Sequence, residues 1–580
     1  MKFRMQYKKT KTVNKSSDAD GIHPLMLKHC GPQFQILIFI LFNKTLDAHH
    51  WPWSNHNNVI FLRKPGKKNY NQTASYRPIT ISSYVGKLLE RILEHRLRVF
   101  IEKKSLIPKM QHGFRKENST AAYLTKLITT AQHQIACRRK VAGLFLDLQK
   151  AFDSVWHGGL LYRLMQLGIT GRIVCLLSSF LQDRTISLTV NGYESRKKPV
   201  SVGLPQGSVL SPLLFIVYIR DMLEKVQGLP LQFADDCTIL ASATDNATLR
   251  AHLQNSCREV STWMSKWRIK ANCSKTDLIN FSSDIQYLQL DGENLNVAAE
   301  TKVLGVTIDS KLRFVSQMTQ AKNSLSRKWN LLKPLITAGL SADTLRKILT
   351  TVVIPGAFYA YYLWDFKKQL SIYEQVRDML HAPYKPPEQL ILRIAGLTPL
   401  DISGMSMRLG VVRQLLVQED TVCITENGKS FLQKLILADL AKLCGRGTTA
   451  ESVSLEHLKR SKIKKLMTAE ADRRWRTFLN LQNGTDGLAY HLDPDHLLSD
   501  PIPLNLNRIL LGKICSLFSG HCNLQSHKYK LGLTFTPTCV CLEEDETVYH
   551  HLFYCAIYNN LRHVTGINQL HPFCKGADRL

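Results

Sequence analysis

At 580 residues the chain is too long for one small domain, and its length suggests roughly three or four units. Apolar residues at 44% and charged residues at 21% supply enough core-forming material to exclude a disordered chain. A net charge of +30, spread along the whole length, calls for a polyanionic partner: nucleic acid first, an anionic membrane surface second.

In chain order, residues 1–18 read as a basic, flexible N-terminus with no apolar segment behind it, so not a secretory signal. Apolar runs such as Ile36 to Phe42 fall far short of the roughly 20 residues that span a bilayer, so no membrane partner is expected. From Gly86 to Ile101 the positions Leu88, Leu89, Ile92, Leu93, Leu97, Phe100 and Ile101 recur at helical spacing, with Arg91, Glu94, His95 and Arg98 opposite. This predicts an amphipathic helix.

Val141 to Leu148 (VAGLFLDL) is a short apolar run broken by one carboxylate, Asp147, and reads as a buried strand. Ser211-Pro212 opens LLFIVYI, read as a buried helix with Ser211 as cap and Pro212 at the first helical position. Leu231 to Leu240 (LQFADDCTIL) reads as two strands joined at Asp235-Asp236. Strand, helix and hairpin in this order predict an α+β domain with helices on one face of an antiparallel sheet. Beyond Phe314 the pattern is mostly helical and basic, broken at Lys385-Pro386-Pro387, around Gly445 to Thr449 and from Asp493 to Pro503. Fourteen scattered cysteines do not form a disulfide framework and fit a reducing intracellular compartment, nucleus or cytoplasm.

An acidic side chain inside an apolar strand is costly unless it is paired or metal-bound. An Asp at a strand end is ordinarily a cap and Asp-Asp at a turn ordinarily a turn, so neither signal stands alone. If the strand and the hairpin are sheet neighbours, Asp147, Asp235 and Asp236 converge, which suits two hard divalent cations about 4 Å apart.

FLDLQKAFDSVWH (Phe145 to His157), GLPQGSVLSPLLFIVYIRDM (Gly203 to Met222) and FADD (Phe233 to Asp236) resemble motifs A, B and C of reverse transcriptases. ADGIHPLMLK (Ala19 to Lys28), SYRPITISSYVGKLLERIL (Ser75 to Leu93) and QHGFRKENST (Gln111 to Thr120) resemble the finger motifs of non-LTR (LINE-type) retrotransposon enzymes. Trp267 to Phe281 resembles motif D and Val303 to Asp309 motif E.

The resemblance implies a right-hand polymerase: fingers and an antiparallel-sheet palm over 19–314, a helical thumb and connection over 315–445, a linker or helical region over 446–504 and a Cys/His module over 505–580. It implies an RNA-directed DNA polymerase acting on an RNA template, a DNA primer or target DNA, and dNTPs, with Mg²⁺ or Mn²⁺ on Asp147, Asp235 and Asp236. Phe152 matches the steric gate that excludes a 2′-hydroxyl. Gln206 and Gly207 match the turn that touches the templating pair. Arg77 and Arg115 match finger positions that hold the triphosphate, with Lys64 and Lys67 as further candidates. Lys275 matches the motif D lysine, an acid for the departing pyrophosphate. Phe233 stands where many relatives have Tyr.

Near the end, Cys539, Cys541, His550 and Cys555 have the spacing C-x-C-x8-H-x4-C, tighter at its start than the common C-x2-C. ETVYHHLFYC resembles the C-terminal knuckle of LINE-type proteins and implies one structural Zn²⁺, with His551 a rival to His550 and reduced core thiols the other reading. No block resembles an endonuclease or a ribonuclease H, so a polymerase segment without a nicking activity is expected. Two other readings remain: a catalytically dead nucleic-acid-binding remnant, and a group II intron-type maturase.

Overall fold

The computed structural model describes residues 17–18, 20–53, 56–64, 66, 69–116, 118–190, 193–363, 371–382, 385–417, 460–481, 504 and 506–565. The expected flexible N-terminus up to residue 16, and 446–459 and 482–503 of the expected linker, lie outside them. The chain divides into two compact units, one ending at Gly305 with Ser310–Leu312, the other comprising Val306–Asp309 and the chain from Arg313.

The first unit is built on a five-stranded sheet in the order Asn296–Val297, Asp277–Asn280, Lys140–Leu146, Asp236–Ala243, Leu229–Phe233. Its inner pairings are antiparallel, as expected, and only the outer Asn296–Val297 pair is parallel. Lys140–Leu146 is central and buried beyond its first residue, which is why its sequence is almost continuously apolar.

Helices cover both faces of this sheet, not one. Cys237, Ile239 and Ala241 share a core with Leu253, Val260 and Met264 of the helix Asn246–Trp267 and with the helix Ser211–Tyr218. On the opposite face the Thr238 hydroxyl accepts from Tyr123 and the Ser242 hydroxyl donates to Gln134, both on the helix Thr120–Ala136. Alternation along one strand requires this division, and the buried side chains of Tyr123, Leu124, Leu127 and Ile128 supply the second cover.

A second sheet precedes and flanks the first. His56–Arg63 pairs antiparallel with Tyr76–Ile81 and parallel with Arg184–Val190, which in turn pairs with Tyr193–Glu194 and Lys198–Val200. The expected amphipathic helix runs Tyr84–Lys103, with Leu88, Leu89, Leu93, Leu97 and Ile101 buried and the Ser83 hydroxyl capping Gly86. A Cβ on its Gly86 would meet the Trp51 and Trp53 rings at 3.4 Å.

The helix at Ser211 ends at Tyr218, one residue before its apolar run does, and Ser211 is not its cap. The Ser211 hydroxyl donates to Pro205 O at 2.9 Å. Capping comes instead from Glu90, 1% exposed, whose carboxylate accepts from the Ser208 hydroxyl and from the Val209 and Leu210 amides at 2.5, 2.5 and 3.3 Å. Burial raises the Glu90 carboxyl above its ordinary value, while these three donors hold it down.

The second unit is helical in its described part beyond Asp309. Val315–Asn330 buries Ala321, Leu325 and Trp329, and the Trp329 indole donates to Asp378. The Arg508 guanidinium donates to the carbonyls of Ile336, Asp378 and Met379, tying the helix Arg508–Ser519 to Tyr373–Leu380. No helix among the described residues is long and apolar enough to cross a membrane.

Below the first sheet, Arg163 makes a bidentate pair with Asp221 at 2.7 and 2.8 Å, lies over the Trp267 ring, and shares Asp221 with the Trp263 indole. Arg163 is 5% exposed, so Asp221→Ala strands a buried guanidinium and is expected to cost about 3 kcal/mol. The denaturant midpoint measures this; an unshifted midpoint contradicts it.

Candidate active site

The ladder between the two inner strands ends with Leu146 opposite Cys237. One residue further, Asp147 and Asp236 are neighbours, on the face shared by Phe145 and Thr238. Asp235 completes the hairpin. Phe233 pairs with Asp236, so the two turn residues are Ala234 and Asp235, not the Asp pair itself. Ala234 adopts φ 57°, a left-handed conformation unusual for a residue with a Cβ. Its amide donates to Gln111 Oε1 at 3.0 Å, which also accepts from Gly113 at 2.8 Å. Gln111 is fully buried, and around it His112 N and Gln232 N donate to Gln232 O and Met110 O, adding the loop to the hairpin's outer edge. Sequence reasoning missed this brace, and no local pattern announces it.

Asp147 is oriented from the other side. Asn272 Nδ2 donates to its Oδ2 at 2.9 Å and the Asn272 amide to its carbonyl at 2.8 Å. The Asp147 amide donates to the Thr276 hydroxyl, and Lys275 Nζ lies 3.8 Å from the Asp147 carboxylate. The expected motif D residue Lys275 therefore does reach the site.

Asp235 and Asp236 reach solvent and Asp147 is half-buried. Burial, then the repulsion of Asp147, raises the Asp235 carboxyl, while Arg77 opposes the shift. Burial, then Asp235 and Asp147, pushes Asp236 up to about 6. Arg77 and the exposed Lys275 leave much of this repulsion standing. Three acceptors facing one another in this way fit divalent cations, whose charge removes the repulsion.

Phe152 lies on the 3-10 turn Ala151–Ser154, its ring stacked on Phe215 at 4.4 Å and 18°. The motif B turn is bound to this segment. Leu204 N donates to Phe152 O, Gly203 N to Val155 O, and Gln206 Nε2 to Asp153 Oδ1. Gln206 O accepts from Thr80 N at 2.7 Å, and a Cβ on Gly207 would lie 2.4 Å from Thr80 O, so only glycine permits that approach. The Gly203 carbonyl contacts the His157 ring and accepts from Arg184 at 2.7 Å.

Arg77 thus stands near the carboxylates on its strand, but Arg115 departs from expectation. Its guanidinium is bidentate to Glu102 at 3.1 and 2.6 Å and donates to Pro108 O at 2.9 Å. It is an anchor of its own loop. Lys67 lies outside the described residues.

In the second unit, ligand atoms of Cys539, Cys541, His550 and Cys555 lie within 4.8 Å of one another. Cys539 Sγ is 3.7 Å from Cys555 Sγ and Cys541 Sγ 3.2 Å from His550 Nε2, near the edge lengths of a tetrahedral Zn–S/N site, about 3.5–3.8 Å. His550 Nδ1 is 3.2 Å from Glu544, the carboxylate arrangement that orients a metal-binding imidazole. Hydrogen bonding, led by the Glu543 amide, pulls the Cys541 thiol down to about 7, toward the thiolate a metal needs. His551 packs on Tyr558 outside the cluster, so His550 is the fitting ligand.

The raised Asp236 has a stability consequence. Its folded value of about 6 exceeds the ordinary 3.8, so the fold favours the protonated form. That stability is complete below pH 3.8 and is lost as pH rises through about 6. Metal-free protein is expected to lose stability across this window, and Asp236→Asn to remove that loss. Melting temperatures of both from about pH 3.5 to 8 check it; parallel profiles contradict it.

Comparison with known proteins bears on this geometry. Residues 62–308 match the family described as reverse transcriptase (RNA-dependent DNA polymerase). The RNA-directed DNA polymerase from mobile element jockey of Drosophila funebris is 31% identical, over 57% of this chain and 37% of that protein. The probable RNA-directed DNA polymerase from transposon BS of Drosophila melanogaster is 26% identical, over 61% of this chain and 41% of its own length. The Retrovirus-related Pol polyprotein from type-1 retrotransposable element R1 of Bradysia coprophila is 22% identical, over 96% of this chain and 54% of its own. The chain therefore spans about two-fifths of the first two relatives and about half of the third. Residues 62–308 therefore resemble reverse transcriptases, and the relatives similar to this chain are described as RNA-directed DNA polymerases of mobile elements.

Proposed function

We propose that the chain extends a DNA primer on an RNA template, with dNTPs as substrates. The observation that carries this reading is the convergence of Asp147, Asp235 and Asp236 at one ladder end. Bound divalent cations, Mg²⁺ or Mn²⁺, would activate the primer 3′-hydroxyl and neutralise charge on the departing pyrophosphate. The three carboxylates would hold them. The primer hydroxyl attacks the α-phosphate in line and pyrophosphate leaves. Lys275, beside Asp147, is placed to give it a proton, and Arg77 to hold the triphosphate oxygens.

Phe152 is backed by Phe215 and selects dNTPs by occupying the volume a 2′-hydroxyl would need. The Gln206-Gly207 turn, clamped between Thr80 and Asp153, presents backbone to the templating pair. The Cys/His cluster holds one Zn²⁺ as a small fold that grips RNA or target DNA, and the +30 charge draws in both polyanions.

Primer extension on poly(rA)–oligo(dT) with Mg²⁺ tests the polymerase reading. Asp147→Ala and Asp235→Ala are each expected to lower the rate at least about 10³-fold, a scale set by loss of transition-state charge stabilisation, with circular dichroism unchanged. Wild-type-like extension by either variant overturns the assignment. For the second centre, metal analysis is expected to find one zinc per chain, lost in Cys555→Ser together with protease resistance of 506–565. A zinc-free wild type with that region equally resistant refutes the site.

A further inference from the structure

Phe114 is a large aromatic residue, 41% exposed, held at φ 56°. Strain of this kind persists only where neighbours impose it. They do so on both sides. Gly113 lies so close to the hairpin that a Cβ there would be 2.3 Å from Ala234 N, and its amide is fixed by Gln111. Arg115 is locked to Glu102 and Pro108, and the Phe114 carbonyl accepts from Arg98 at 2.6 Å. The outcome of these restraints is the direction of one ring. Phe114 stands edge-on to Phe152, centroids 6.2 Å apart and planes at 87°.

The two aromatic neighbours of Phe152 differ in kind. Phe215 is fully buried and stacks on one face, so it cannot yield. Phe114 is the exposed one. Of the two, only Phe114 is a surface residue and so the one whose loss the fold tolerates. We propose that Phe114 is a positioning residue for sugar selection: its edge contact holds the Phe152 ring where it meets the sugar, so that the dNTP preference is a property of the pair. This rests on Phe152 being the gate.

The test is the ratio of kcat/KM for a dNTP over that for its ribonucleotide on an RNA template, which cancels any general loss of active protein. Phe114→Ala is expected to lower this ratio about two- to tenfold, the factor an edge-to-face ring pair is worth. Phe114→Leu, which keeps bulk without the aromatic edge, should fall between Ala and wild type, and Phe114→Tyr should keep the wild-type ratio. Phe152→Ala should lower it further, and adding Phe114→Ala to Phe152→Ala should change nothing more. An unchanged ratio in Phe114→Ala, with a collapsed one in Phe152→Ala, overturns the proposal and leaves the gate standing. Additive loss in the double variant also overturns it, since Phe114 then acts apart from Phe152. An unchanged ratio in Phe152→Ala removes the gate itself and the proposal with it.

Discussion

Everything in the first unit is arranged around mutual repulsion among three carboxylates. Asp147, Asp235 and Asp236 sit at one ladder end, where the charge of a neighbour raises the cost of ionising Asp235 and Asp236. A chain free to relax would separate them. The fold prevents this mainly with backbone and amide contacts rather than counter-charge. The central ladder fixes Asp147 against Asp236, Asn272 grips Asp147 through both its side chain and its amide, and Gln111 holds the strained Ala234 that presents Asp235. A divalent cation bound there would remove this repulsion.

Backbone packing governs the turn from Gly203 to Leu210 in the same way. Its carbonyls and amides are claimed by His157, Arg184, Thr80, Ser211 and Glu90, residues far apart in the chain. Burial lowers the His157 imidazole, so it stays neutral while contacting Gly203 O. Because the turn also takes the carbonyls of Phe152 and Val155, the Phe152 segment and the Gln206-Gly207 turn are tied together through backbone.

What the sequence discloses, and what it hides, follows separation along the chain. The Asp235-Asp236 hairpin, the amphipathic helix and the Cys/His cluster each lie within a short segment, so their patterns are legible, although the hairpin and the cluster take their meaning from the resemblance. Gln111 and Glu90 act on partners 123 and 118 residues away, and no local pattern marks a buried amide or carboxylate as a brace. The parallel pair His56–Arg63 with Arg184–Val190 is hidden for the same reason. Ser211 reads as a cap because Ser-Pro before an apolar run usually is one; only the fold brings Pro205 and Glu90 to claim its neighbourhood. Arg115 reads as a phosphate ligand by resemblance, and Glu102, thirteen residues earlier on a helix end, takes its charge.

The central claim is that the palm carboxylates hold the divalent cations with which RNA is copied into DNA. Counting bound Mn²⁺ by electron paramagnetic resonance tests it most directly, on zinc-loaded protein with an RNA template, a dideoxy-terminated primer and the next dNTP. The account predicts about two tightly held ions per complex, and loss of both in a chain carrying Asp147→Asn with Asp235→Asn. Equal Mn²⁺ binding by that double variant would contradict it.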